Sequence, residues 1–497
     1  MLSILWDKTK PKILNKAIFI YNFMHAIPEE ILSLNVEEIN FNDEEFVKNL
    51  IIKLLNLVEQ QAQNNHKLQE ENQALKDEIN RLKGEKGKNK TSSSAPKENK
   101  RIPKGGKTLK WRKTSKKHRV KIDRIERIKV DKSTLPPDAE YKGYRSVVKQ
   151  NIKFTTDNVE YQLERYYSSS ERKLYEAELP EDVRNSDFGS ELKAFIAYLY
   201  FAGRVTENKI KKILEESGVI ISEGEISDIL TKEKKEEFSK EKQDIFDAGL
   251  NSADYFHIDD TGGRHKGLNY HAHVICGALF TVFFILPKKD RETLRSILGL
   301  KEGEKIDKIM ISDDAKQFLE IAIYHALCWI HEIRLYTKLN PILDWHRTKL
   351  RDFLELVWEF YEALKRYKEN PDKKRKEALE RKFEELFSTK TGYEELDNRI
   401  ELTRGKKDRL LLVLKYPQIP LHNNPAEIAL RELVIKRKIS IGTRSEDGRI
   451  AWENMMSILD TCRKQGISFF GYLKDIFSAE YAMPRLSRLI SQKASNQ

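Results

Sequence analysis

The chain has 497 residues, 39% of them hydrophobic and 34% charged, with a formal net charge of +12. That length exceeds what one hydrophobic core organises, so several domains are expected. No run approaches the roughly 18 consecutive apolar residues a membrane span needs, which leaves out an integral membrane protein. The basic balance favours a polyanionic partner such as nucleic acid, although solvated lysine faces give the same sum. Three cysteines, Cys276, Cys328 and Cys462, stand far apart without a CxxC pair. Neither a disulfide framework nor a zinc ribbon is available to them, and a reducing cytoplasm fits.

Residues 1–46 read as an N-terminal helical segment; the apolar stretch Ala17–Met24 is short, contains Asn22 and lacks a cleavage site, so it is no leader peptide. Heptads follow over residues 47–83. Ile51, Val58, Asn65, Asn72 and Ile79 take position a, with Val47, Leu54, Gln61, Leu68, Leu75 and Leu82 at d. Asparagine at a is satisfied when it faces another asparagine, which favours a parallel homodimer over a helix buried in its own monomer.

Residues 84–121 are poor in apolar side chains and end in a basic run. Such a segment does not fold alone. It serves either as a solvated linker or as an arm on DNA, with Arg112, Lys113, Lys116, Lys117 and Arg119 on phosphates and Trp111 free to stack or wedge. Residues 122–182 contain alternating polar and apolar positions, with turn-prone stretches at 155–158 and 168–170 dividing three short strands into a small β module. Residues 183–250 are helical, with helices expected over Leu192–Phe201, Thr206–Ser217 and Ser222–Lys232, the last opened by a Ser222/Glu225 capping box. A helix-turn-helix DNA reader and a plain helical bundle are both compatible with this triplet.

From Tyr255 the pattern turns to strands. Tyr255–Ile258 runs into Asp259 and Asp260; Asn269–Gly277 and Ala278–Leu286 follow; a helix begins near Asp290; Lys308–Ser312 then runs into Asp313 and Asp314. Three antiparallel strands, a helix and a fourth strand form a ribonuclease-H-like order, with the first and fourth strands adjacent and their acids converging. A third acid, Glu427, follows Pro425 at the start of a helix whose apolar positions recur at helical spacing. Three carboxylates suit in-line phosphodiester chemistry, because two Mg²⁺ ions about 4 Å apart clamp the attacking and leaving oxygens and prefer hard oxygen ligands.

These residues resemble the large Asp-Asp-Glu transposase of insertion-sequence family sixty-six. His422–Lys438 (HNNPAEIALRELVIKRK) is similar to that family's Asn-Asn-x-Ala-Glu-x-Ala-Leu-Arg motif, His257–Gly262 to its Asp-Glu-Thr motif, and Ile311–Phe318 to the segment with its second aspartate. The resemblance implies catalysis and metal binding by Asp259, Asp313 and Glu427, with Asp260, Asn424 and Arg431 in support and Arg437 and Lys438 on DNA. Cys328 and His331 match its Cys-Trp-x-His motif; as two donors they are too few for zinc, which favours packing beside the site. Two Mg²⁺ or Mn²⁺ ions and no zinc are therefore expected. Three departures stand out: Gly262-Gly263 replaces the usual proline, His422 stands where the family usually has Asp, and the β module lacks the family's frequent cysteines.

The implied architecture is a multidomain α+β protein: N-terminal coiled coil, small β module, helix-turn-helix-like helical domain, and a ribonuclease-H-like α/β catalytic domain with a helical insertion. The catalytic core occupies residues 251–330 and 416–497 around an insertion at 331–415, which either reaches over DNA or is a solvated helical pair. The implied function is a bacterial, cytoplasmic enzyme acting at the nucleoid, which binds element ends and performs DNA cleavage and strand transfer. Small accessory proteins are possible partners by the same resemblance, and no membrane is. The alternative is an inactive DNA-binding relative that regulates transposition.

Overall fold

The computed structural model describes residues 43–82, 121–131, 135–136, 138–152, 155–179 and 187–496. The basic arm, with Trp111, Arg112, Lys113, Lys116, Lys117 and Arg119, lies outside the described residues, as does the N-terminal segment up to residue 42.

The heptad region is one helix, α1 (Glu44–Leu82). Its seam positions Ile51, Leu54, Val58, Leu68 and Leu75 are exposed. Another face of the same helix is docked on the chain. Glu59 is 1% exposed and accepts the backbone N–H groups of Ile342 (2.6 Å) and Leu343 (2.8 Å), while Asn56 donates to the Gly392 carbonyl at 2.8 Å. The heptad reading located the helix and set a seam against packing within the monomer; the helix in fact has both an exposed seam and a docked intramolecular face.

The small β module is a hairpin of β1 (Arg165–Ser168) and β2 (Lys173–Glu176), antiparallel with Tyr166 opposite Tyr175. The third strand expected upstream of residue 155 is not formed among the described residues. Its alternating side chains, Val147 and Ile152 among them, remain exposed, and no neighbouring strand pairs with that segment. Alternation alone does not make a strand without a ladder partner.

The helical triplet follows as α2 (Ser190–Phe201), α3 (Glu207–Glu216) and α4 (Glu223–Thr231). Ser222 caps α4 by accepting the Glu225 N–H at 3.0 Å, a contact that stabilises such a helix start by about 1 kcal/mol. A fourth helix, α5 (Lys235–Ser252), carries the chain to the sheet.

The sheet has five strands in the order β5-β4-β3-β6-β7. β3 (Tyr255–His265), β4 (Leu268–Cys276) and β5 (Thr281–Leu286) form an antiparallel meander. α6 (Arg291–Leu298) crosses over to β6 (Ile306–Ser312), which lies parallel to β3 as the sequence order requires, and β7 (Ala322–Leu327) adds a parallel edge strand the sequence reading missed. One expectation is corrected. The first strand does not stop at Ile258 but runs on to His265, because β4 continues to pair with it after β6 has ended.

Alternating side chains send the two faces of the sheet into different cores. Phe256, Ile258 and Met310 join a core shared with α2–α5 and the C-terminal helices α12 (Glu446–Gln465), α13 (Phe469–Phe477) and α14 (Leu486–Ser495). The helical segment before residue 250 is therefore continuous in packing with the sheet. Ile309 and Ile311 face a second core, made with α7 (Trp329–Thr337), α8 (Asp344–Glu369), α9 (Lys373–Leu386) and α10 (Glu394–Arg404). The insertion is thus not a freely solvated pair: Trp329, Phe360, Phe383 and Phe387 form a buried aromatic cluster in it. The last long element before α12 is α11 (Asn424–Ser440).

Candidate active site

Parallel pairing of β3 and β6 ends with His257 opposite Ile311. Two residues further along each chain come Asp259 and Asp313, so strand periodicity places both on the sheet side that the insertion covers. The start of α11 closes this end of the sheet. Asn423, fully buried, donates from Nδ2 to the Ile258 carbonyl at 2.9 Å, and its Oδ1 lies 2.9 Å from His257 Nδ1. With its amide N–H group committed to Ile258, the Asn423 oxygen accepts, so His257 donates from Nδ1. Burial pushes the His257 imidazole down to about 4, which keeps it neutral in this role.

Backbone contacts extend the clamp. Cys328 N donates to the Ser312 carbonyl (2.9 Å), Trp329 N to the Leu421 carbonyl (2.9 Å), and Asn423 N to Cys328 Sγ (3.2 Å). β3, β6, α7 and α11 are therefore sewn together around the three acids. Pro425 in the first turn of α11 removes an N–H that would have no helical partner, and Glu427 projects from that same turn.

Each Asp-Asp doublet is divided electrostatically. Asp260 accepts from Gln317 Nε2 at 2.5 Å and faces Lys289 Nζ at 3.7 Å, while Asp314 pairs with Lys406 (2.9 Å) and Arg409 (2.6 Å). Among the described residues no lysine or arginine pairs with Asp259 or Asp313. Burial pushes the Asp259 carboxyl up to about 7, and the charges of Asp313, Asp260 and Glu427 add to the effect. Asp313 is raised too, by burial and by Asp260 and Asp314. Buried carboxyls held together without a counter-cation fit a divalent ion, whose charge would remove the penalty. Glu427 lies 3.7 Å from His331 Nδ1 and 3.5 Å from Arg334 Nη1.

The other residues singled out in the sequence are distributed unevenly. Asn424 and Arg431 are exposed on α11, and the structural amide is that of Asn423, its neighbour in the same motif. The adjacent Asn-Asn pair was the available signal; only burial separates the two. Cys328 and His331 do lie beside Glu427. Arg437 and Lys438 line an open cleft of about 400 Å³ with Gly262, Gly263, Arg264 and Asn269. A Cβ at Gly262 would stand 3.4 Å from Arg437 Nη1, in ordinary contact, which places that guanidinium against β3. After α11 the chain returns to β3: Gly442, at φ +152, approaches the Arg264 carbonyl so closely that a Cβ would stand 2.5 Å from its oxygen. Thr443 Oγ1 then lies 2.8 Å from His265 Nδ1.

α11 is also anchored from behind. Lys436 is 2% exposed, donates to the Tyr200 carbonyl at 2.8 Å and sits 3.3 Å from the Tyr200 ring centroid; burial pushes its ammonium down to about 7. Arg204 pairs with Glu432. The helical triplet thereby fixes the helix that carries Glu427.

Among known proteins, the family model described as Transposase IS66 family matches residues 185–450, which includes the whole sheet and α11. A protein of Sinorhizobium fredii (strain NBRC 101917 / NGR234), named "Uncharacterized protein y4jO", is 42% identical over 189 residues, or 38% of this chain. The match spans 58% of that relative's own length.

Proposed function

Because the chain belongs to the Transposase IS66 family, we propose that it binds the ends of a mobile element and catalyses metal-dependent DNA cleavage and strand transfer. The observation that carries this reading is the meeting of Asp259, Asp313 and Glu427 at one end of the sheet, with the ionisation of Asp259 opposed by burial and by the other two. Asp259, Asp313 and Glu427 would hold two Mg²⁺ or Mn²⁺ ions. When bound, such ions activate a water or a DNA 3′-hydroxyl and stabilise charge on the phosphate and leaving oxygen.

The protein's own residues do the remaining work. Asn423 fixes β3 against α11, which sets the relation of Asp259 to Glu427. Lys406 and Arg409 hold Asp314 aside, and Lys289 and Gln317 hold Asp260. Arg264, Arg437 and Lys438 line an open cleft further along β3 and α11 from the acids and would supply cationic contacts for the DNA backbone. The basic arm at 84–121 would add to this contact, and the exposed seam of α1 would pair two copies so that two ends are held together. The strand order, with two parallel strands beside a three-stranded meander, supports a ribonuclease-H-like catalytic domain.

The test is joining of the element's own ends to target DNA with Mg²⁺ or Mn²⁺. Native protein yields joined product; Asp259→Asn, Asp313→Asn and Glu427→Gln each bind the ends and lose joining by about 10²–10³-fold or more, the scale of a removed electrostatic group. Full joining by any of the three removes that acid from the set. End binding without joining by native protein leaves only a DNA-binding relative.

A further inference from the structure

We propose that Cys328, His331 and Glu427 form a binding site for a thiophilic divalent cation, of which Zn²⁺ is the type, distinct in ligand chemistry from the all-carboxylate set. One donor atom from each, the Cys328 sulfur, a His331 ring nitrogen and a Glu427 carboxylate oxygen, lies within 4.8 Å of the other two. Two helix starts bring them together. Cys328 is the N-cap of α7 and His331 lies three residues on, on the same face of the first turn; Glu427 comes from the first turn of α11.

A second observation points to a ligand. His331 Nδ1 and Glu427 Oε1 are both shielded from solvent and have no hydrogen-bond partner among the described residues, and their separation of 3.7 Å is too long for them to satisfy each other. Buried polar atoms are almost always paired, so two orphans converging beside a thiol leave a place for an ion. The donor set selects its kind. Sulfur, imidazole nitrogen and carboxylate oxygen suit zinc, whose non-structural sites use three protein ligands and an open fourth position, whereas Mg²⁺ takes oxygen ligands. As the Sγ–metal bond forms, the Cys328 thiol releases its proton to solvent, and His331 binds as the neutral imidazole.

In sequence, Cys328 and His331 are only two donors; the third arrives from a different helix. Glu427 is also the acid assigned to Mg²⁺, so an ion held here competes with the carboxylate set for the same side chain. The inference goes beyond strand transfer and shares with it only that residue.

The experiment is Co²⁺ added to the full-length protein and followed by absorption, with Zn²⁺ as competitor. Native protein gives a near-ultraviolet sulfur-to-cobalt charge-transfer band and intense visible bands of four-coordinate Co²⁺, and Zn²⁺ bleaches both. Cys328→Ser loses the charge-transfer band, while Cys276→Ser and Cys462→Ser, at buried cysteines elsewhere, retain it. His331→Ala, at a side chain 30% exposed and therefore safe for folding, weakens Co²⁺ and Zn²⁺ binding by about 10-fold or more, a loss that even outer-shell changes cause. Asp259→Asn keeps the band while losing strand transfer, so the two readings fail separately. A weak six-coordinate spectrum from native protein, or a charge-transfer band that survives Cys328→Ser, overturns the site.

Discussion

Asp259 and Asp313 sit where a carboxylate is least comfortable, buried near other acids and, among the described residues, without a paired lysine or arginine. The geometry that would concentrate positive ions therefore destabilises the ion-free protein. Asp259→Asn should raise the melting temperature of the metal-free chain by a few degrees, roughly the effect of 1–2 kcal/mol. Mg²⁺ should raise that of native protein and leave the variant nearly unmoved; equal shifts in thermal scans would place the cation elsewhere. Lys436 gives a pH test away from these acids. Its folded value of about 7 lies below the ordinary 10.5. The unfolded chain therefore binds the extra proton between those values, and stability rises with pH across that window. The contribution is complete above 10.5 and lost as pH falls through about 7. Compared with Lys436→Met, native protein should gain at most about 1.4 kcal/mol per pH unit between them. Parallel urea midpoints for the two proteins would remove the burial cost assigned to this lysine.

At the scale of elements, α1 has two separable faces. The seam of Ile51, Leu54 and Val58 is open to a second copy, whereas Glu59 and Asn56 hold the helix to α8 and the loop before α10. Ile51→Glu with Val58→Glu should give a monomer in sedimentation with the melting temperature little changed. Glu59→Ala should do the reverse: it leaves the N–H groups of Ile342 and Leu343 unpaired and costs about 1–3 kcal/mol, with self-association intact. A monomer from Glu59→Ala alone would mean that the docked face carries the dimer. The heptads made the seam legible because a and d repeat in sequence. The docked face was not, since its partners lie some 280 to 340 residues away. The three helices near residue 200 were legible to within a residue or two from their glycines, caps and apolar spacing. β7 was not, because its apolar run has no flanking turn signal and owes its strand state to the parallel edge of β6.

Across the whole molecule, the net charge of +12 says little until it is placed. Arg264, Arg437 and Lys438 come together in one cleft because α11 runs along β3 in the same sense and the chain after Gly442 meets that strand again at His265. If these side chains neutralise phosphates, Arg437→Ala and Lys438→Ala should each reduce the slope of log affinity against log salt by about one. An unchanged slope at lower affinity would move the contact off the phosphates.

The sequence by itself singled out the three acids as a candidate set, through the order of elements and through resemblance to the family's motifs. Two stand just beyond the apolar hearts of strands that the order of elements makes neighbours, and the third follows a proline-marked helix start inside a long motif. Such features are local, and local patterns survive in one dimension. Which member of each Asp-Asp doublet is left without a cation was decided by Lys289, Gln317, Lys406 and Arg409, and which asparagine clamps the site was decided by burial. The meeting of Cys328 and His331 with Glu427 was decided the same way. Each of these depends on charges or donors brought close by packing between elements remote in sequence, where adjacency along the chain carries no information about distance.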